Sequence, residues 1–341
     1  MTALTAGKLW GLRRLADTAG RFKMLAVDQR PPIKQVIAER RRREPAPYQD
    51  VCDVKALLTE VLAPQASAVL LDPHYGYPAA VHLADPRHGL LVTLEDSVFT
   101  ETAGGRRSRA IDEWSVDKIK RIGADAVKVL AWYRPDAAPE VNDHQQQFVA
   151  AVGDTCRTMD IPFVFELLVY PMPTESGHTL DYVEQPDKKA DHVIESVATF
   201  AESAFGVDLF KLESPIPAET VASVAPDAVA AAFTALDAAA GRPWVMLSAG
   251  ASPNSFRAVL EHAYRAGASG YLAGRAIWWD ALSAFPDLDT MRTALEASGL
   301  PYMAELNRLT DASAMPWHRH PLYGAAPTLH GAGPGFRTEY R

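Results

Sequence analysis

The side chains of this sequence best placed to do chemistry are charged groups set inside apolar runs. Lys128 stands in Asp125-Ala-Val-Lys-Val-Leu-Ala131, Glu166 in Phe163-Val-Phe-Glu-Leu-Leu168, and Lys211 with Glu213 in Asp208-Leu-Phe-Lys-Leu-Glu-Ser214. Successive residues of a strand face opposite ways, so if Val127, Val129, Phe210 and Leu212 pack outward, Lys128 and Lys211 share the other side. An amine held near a second cation and partly out of water gives up its proton more readily, and the free amine attacks carbonyls. A carboxylate beside it can move the protons that such an attack, and the bond cleavage after it, require. The plain alternative is a structural Lys–Glu pair. Buried ion pairs stabilise little, however, which makes a cluster spread over three segments hard to explain that way.

The elements that must position these groups form a longer series. Eight short apolar segments recur at 23–28, 66–72, 90–95, 125–131, 162–169, 208–214, 244–250 and 270–275, separated by stretches fit for helices. Val54, Leu57, Leu58, Val61 and Leu62 fall on one helical face before the second segment, as do Val193, Val197, Phe200 and Phe205 before the sixth. Buried parallel strands read as continuous apolar runs and alternate with crossover helices. The expected fold class is therefore α/β, a parallel eight-stranded (β/α)8 TIM barrel with its site at the carboxyl ends of the strands. An open doubly wound sheet fits less well, because the first segment leads into Asp28-Gln29-Arg30-Pro31-Pro32 and not into a glycine-rich phosphate turn. Strands four, five and six of such a barrel are neighbours, which gathers Lys128, Glu166 and Lys211 into one volume. Residues 1–20 read as a helix able to close the bottom, and 1–315 as a single barrel domain. Beyond Leu309 the chain turns rich in His, Pro and Gly, so 316–341 is expected to be a loosely ordered tail, or an arm over a neighbouring subunit.

The ends of the last two strands suggest an anion site. Ser248, Ala249, Gly250 and Ala251 close the seventh segment, and Ala273, Gly274 and Arg275 the eighth; in such barrels these loops offer backbone N–H groups and a helix start to a phosphate. Small residues let the backbone come close, and Arg275 can add a charge-assisted contact, unless it pairs with a carboxylate of a neighbouring strand. Asp72, Glu95 and Glu213 are weaker candidates that could equally orient a lysine or cap a helix, and His74 and Tyr75 are polar loop residues of the second strand.

Composition narrows the partners. A net charge of −8 argues against nucleic acid and against an anionic membrane surface, and the run Arg40-Arg-Arg-Arg43 reads as a solvated helix end. No window approaches the roughly 20 apolar residues of a membrane span. Charged residues from Lys8 to Asp17 interrupt any leader-like apolar stretch, so a soluble, cytoplasmic protein is expected. Cys52 and Cys156 lack disulfide or zinc spacing, and none of the ten histidines falls in a ligand pattern, so no metal is expected. A homo-oligomer, dimer or tetramer, is expected.

Several ordered runs also carry a family resemblance: Leu25-Ala-Val-Asp-Gln-Arg30, Leu70-Leu-Asp-Pro-His-Tyr-Gly76, Gly123-Ala-Asp-Ala-Val-Lys128, Gly206-Val-Asp-Leu-Phe-Lys211, Leu247-Ser-Ala-Gly250 and Ala273-Gly-Arg-Ala-Ile-Trp278. Together, across residues 20–318, the sequence resembles the class I tagatose-1,6-bisphosphate aldolases and the related sulfofructose-1-phosphate aldolases. The resemblance implies a (β/α)8 barrel with Lys211 as the Schiff-base lysine, Lys128 as its cationic neighbour and Glu166 as acid and base. It also implies that Asp28 and Gln29 lie beside substrate hydroxyls, with Arg30 among the substrate-binding residues, and that no cofactor is needed. The implied partner is a phosphorylated or sulfonated ketose, cleaved to dihydroxyacetone phosphate and an aldehyde. A barrel isomerase or decarboxylase using the same lysines electrostatically, and a non-enzymatic sugar-phosphate sensor, are the competing expectations.

Overall fold

The structure, a computed structural model, describes residues 2–175 and 177–340. At its centre eight parallel strands close into a barrel: β1 (Phe22–Ala26), β2 (Ala68–Leu71), β3 (Gly89–Thr93), β4 (Ala126–Trp132), β5 (Phe163–Leu168), β6 (Leu209–Leu212), β7 (Trp244–Met246) and β8 (Gly270–Ala273). Each strand neighbours the next in sequence, and β8 returns to β1 with Gly270 opposite Phe22 and Ala273 opposite Leu25. All eight expected segments are strands. Several stop short of their expected carboxyl ends, β7 most of all, because Ala249 and Gly250 take left-handed conformations at φ 46° and 86° that end an extended chain.

Alternation along the strands separates two environments. Val127, Val129, Phe165, Phe210 and Leu212 point outward and pack with Val54, Leu57, Leu58 and Leu62 of the helix Tyr48–Leu62 and with Val193, Val197 and Phe200 of the helix Ala190–Phe200. Phe205 joins the same core from a separate short turn, Ser203–Phe205, beyond the end of that helix. Inward residues of the lower half are apolar throughout, among them Phe22, Met24, Leu70, Leu91, Val164, Val245 and Leu272. The helix Ala6–Leu15 seals that end with Leu12 and Leu15. The charged inward residues all lie above this dry floor.

The segment beyond residue 315 is ordered against its own barrel along much of its length. Trp317 and Tyr323, each 2% exposed, join the lower core and meet edge to face. Thr328–Leu329 then pairs in parallel with Ala3–Leu4, and the Tyr340 hydroxyl donates to Asp160 Oδ2 at 2.6 Å. The His, Pro and Gly content hid two large apolar side chains whose burial holds the segment against its own barrel. No helix among the described residues is long and apolar enough to cross a membrane.

Candidate active site

Strand register assembles the cluster. Glu166 on β5 lies directly beside Lys211 on β6, and Lys128 on β4 sits one inward layer lower, beside Val164 and opposite Thr93 of β3. Lys128 Nζ reaches Asp28 Oδ2 at 3.0 Å, Glu95 Oε1 at 2.6 Å and Glu166 Oε2 at 2.8 Å. Lys211 Nζ donates to the same Glu166 Oε2, also at 2.8 Å. One carboxylate oxygen therefore stands between the two amines. The other, Oε1, accepts a hydrogen bond of 2.9 Å from the hydroxyl of Tyr182. Lys128, Glu166 and Lys211 are all at most 4% exposed.

Each ionisation follows from burial set against these neighbours. Burial works against a charged Lys128, but Asp28, Glu166 and Glu95 outweigh it and hold the ammonium well above the usual lysine range. Burial alone would raise the Glu166 carboxyl; Lys128 and Lys211 reverse that and keep it below the ordinary carboxylate value. Asp28 is lowered as well, burial again being overcome by Lys128 and Lys211. Glu95 goes the other way, because its burial exceeds the pull of Lys128 and Arg30.

The cluster opens on a cavity of about 660 Å³, mouth included, lined by Asp28, Gln29, Arg30, Lys128, Glu166, Lys211, Ser248, Ala249, Gly274 and Arg275. Gly250 alone of the expected site residues is absent from the lining. It stands behind Arg275, where a Cβ would come within 3.2 Å of the guanidinium Nη1. At Gly274 a Cβ would strike the Ala26 carbonyl at 2.3 Å, so only glycine lets the start of the helix Arg275–Leu282 approach β1. Arg275 is 9% exposed and forms no ion pair among the described residues, so the alternative of a salt bridge to a neighbouring strand is not realised. Its guanidinium lies 5.6 Å over the ring of Tyr182. Asp28 Oδ1, Gln29 Oε1, and Arg30 Nε and Nη1 are buried with no hydrogen-bond partner among the described residues. Buried polar groups are normally paired, so a polar lining with this many open positions suits a polar, anionic ligand.

The weaker candidates separate. Glu95 joins the cluster through Lys128. Asp72 lies outside the cavity, where it receives Lys55 Nζ at 2.6 Å and the backbone N–H groups of His74, Tyr75 and Gly76, which leaves those two loop residues away from the lining. Glu213 is taken up by the Val169 N–H and by Lys188. Tyr182 and Trp132 line the cavity without having been expected there. Trp132 extends the apolar run of β4 past its expected end, and so was within reach of the pattern. Tyr182 comes from an aperiodic polar stretch, and nothing in its sequence neighbourhood marks it.

The model of a family described as DeoC/LacD family aldolase matches residues 22–280, a span that contains all eight barrel strands and every expected site residue. Tagatose 1,6-diphosphate aldolase 2 of Streptococcus mutans is 33% identical over 317 residues, covering 90% of this chain and 95% of that one. Tagatose 1,6-diphosphate aldolase of Listeria monocytogenes is 33% identical, covering 97% and 98%. Among solved structures, an archaeal fructose 1,6-bisphosphate aldolase shares the fold with a TM-score of 0.58 at 17% identity, covering 89% of this chain and 99% of that one.

Proposed function

The chain belongs to the DeoC/LacD aldolase family and is a class I aldolase, a lyase, and on that premise we propose that it cleaves a ketose 1,6-bisphosphate such as tagatose 1,6-bisphosphate through an imine on Lys211. The observation that carries this reading is the single, buried Glu166 oxygen held between Lys211 and Lys128. Lys211 Nζ adds to the C2 carbonyl and water leaves, giving an iminium. Glu166 accepts the C4 hydroxyl proton, the C3–C4 bond breaks, and its electron pair moves into the iminium to form an enamine as glyceraldehyde 3-phosphate departs. Protonation at C3 and hydrolysis then release dihydroxyacetone phosphate and the free lysine. Lys128, pinned by three carboxylates, stays an ammonium and keeps Glu166 ionised between turnovers.

Two buried guanidiniums, without ion pairs among the described residues, support an anion at each end of the substrate. Arg275, with the Ser248–Gly250 turn and Gly274, would take the C1 phosphate, and Arg30, beyond the end of β1, the terminal one. Borohydride added with dihydroxyacetone phosphate is expected to attach a triose to the peptide that contains Lys211, and chelators to leave turnover intact. Lys211→Met is expected to abolish both the adduct and cleavage, by about a thousandfold or more. Full activity in that variant, or a wild type that binds sugar phosphate without forming an adduct, would remove the imine. Parallel assays of tagatose and fructose bisphosphates and of a 6-sulfo ketose 1-phosphate identify the substrate.

A further inference from the structure

Between β5 and the helix Ala190–Phe200 the chain crosses the mouth of the barrel as a strap, 170–175 and 177–189, with no regular element among its described residues. Its attachments are numerous. Glu184 donates its N–H to the Ala249 carbonyl, and its carboxylate binds Lys188 at 2.6 Å and the Ala218 N–H at 2.8 Å, while Lys188 also holds Glu213 at 2.8 Å. At the other side Arg106, ringed by Phe99, Trp132 and Tyr170, donates to the Thr179 carbonyl. Between these anchors Leu180 and Val183 face solvent, whereas Tyr182 turns inward onto Trp132, ring centroids 5.3 Å apart.

The inward turn places one hydroxyl on the one oxygen of Glu166 that no lysine holds. With Oε2 shared by Lys128 and Lys211, Oε1 is the oxygen left to meet a substrate proton, and its basicity depends on what else donates to it. A phenol donating there stabilises the carboxylate and fixes its rotation. We propose that Tyr182 is a positioning residue for proton transfer, delivered by the strap, so that Glu166 is set for its task only while the strap is seated. This rests on the imine reading of the site. It adds that covering the mouth and arming the base are one event.

The charged and titratable groups facing Glu166 are Asp28 from the β1 end, Glu95 from the β3 end, Lys128, Lys211, Arg275 from the β8 end, and Tyr182 itself. Of these only Tyr182 is removed in Tyr182→Phe, which keeps the ring and its packing. Loss of a donor to the carboxylate raises the pH at which Glu166 takes a proton, so the acid limb of kcat is expected to move to higher pH. At the optimum kcat is expected to fall about tenfold, with KM within about twofold. Borohydride trapping with dihydroxyacetone phosphate is expected to remain at the wild-type level. Glu184→Ala, which frees the strap without touching the site, is expected to lower kcat with the same shift, and the double variant to be no worse than Tyr182→Phe alone. A wild-type acid limb in Tyr182→Phe, or losses that simply multiply in the double variant, would overturn the proposal. A wild type that forms no adduct would instead overturn the imine reading, whatever the tyrosine does.

Discussion

Glu166 has a lysine pair on one oxygen and a phenol on the other, so its charge state is the sum of opposing neighbours. Removing the strongest of them has a definite sign. In Lys128→Met, Asp28, Glu95 and Glu166 face one another without the ammonium that they shared, so Glu166 should rise and the acid limb of kcat move up by about one pH unit or more. Stability should show the same linkage. Asp28 and Glu166 lie below their ordinary values when folded, so their contribution is present above the unfolded carboxylate pKa, about 4, and lost as pH falls through the folded one. The variant should lose that acid-side dependence in urea titrations run at a series of pH values. Arg30 sets a different test. If it receives the terminal anion, Arg30→Met should reduce kcat/KM for a ketose bisphosphate by about ten- to a hundredfold while leaving a ketose 1-phosphate nearly unaffected, the cost of one charge-assisted contact.

Among the elements, the helix Tyr48–Leu62 shows how far a distant side chain supports the site. Lys55, fully buried on that helix, pairs with Asp72 and donates to the carbonyl of Val27, the residue just before Asp28. Burial lowers the Lys55 ammonium against the pull of Asp72. Lys55→Met would strand Asp72 without its cation, at a cost of about 3–5 kcal/mol of stability measured by denaturant unfolding. The strands themselves were legible in the sequence because inward Lys128, Glu166 and Lys211 interrupt runs whose other members are apolar on both faces. Barrel order then placed them side by side, and the register agrees. Less legible were groups whose position depends on a partner remote in sequence. Nothing in the sequence sets Lys55 apart from the other polar members of its helix, or Tyr182 from the rest of its polar loop. The end of β7 is not legible, because nothing in Leu247-Ser-Ala-Gly250 marks Met246 as the last residue of the strand.

On the scale of the whole molecule, the barrel is divided across its axis, with a charged upper half and an apolar lower half closed by segments from residues 6–15 and 317–323. Trp317 supplies much of that lower closure. Trp317→Ala should cost about 3–5 kcal/mol in thermal or denaturant unfolding, yet leave kcat and KM unchanged well below the melting range, since Trp317 does not line the active-site cavity. A parallel loss of turnover at low temperature would show that the two halves are coupled after all. The pairing of Ala3–Leu4 with Thr328–Leu329 sets an order in time as well. Ribosomes release the amino end first, so Ala3–Leu4 must wait, unpaired, until synthesis has passed Thr328–Leu329. The ring can close and hold its charged pocket during that interval, and the underside is fastened last.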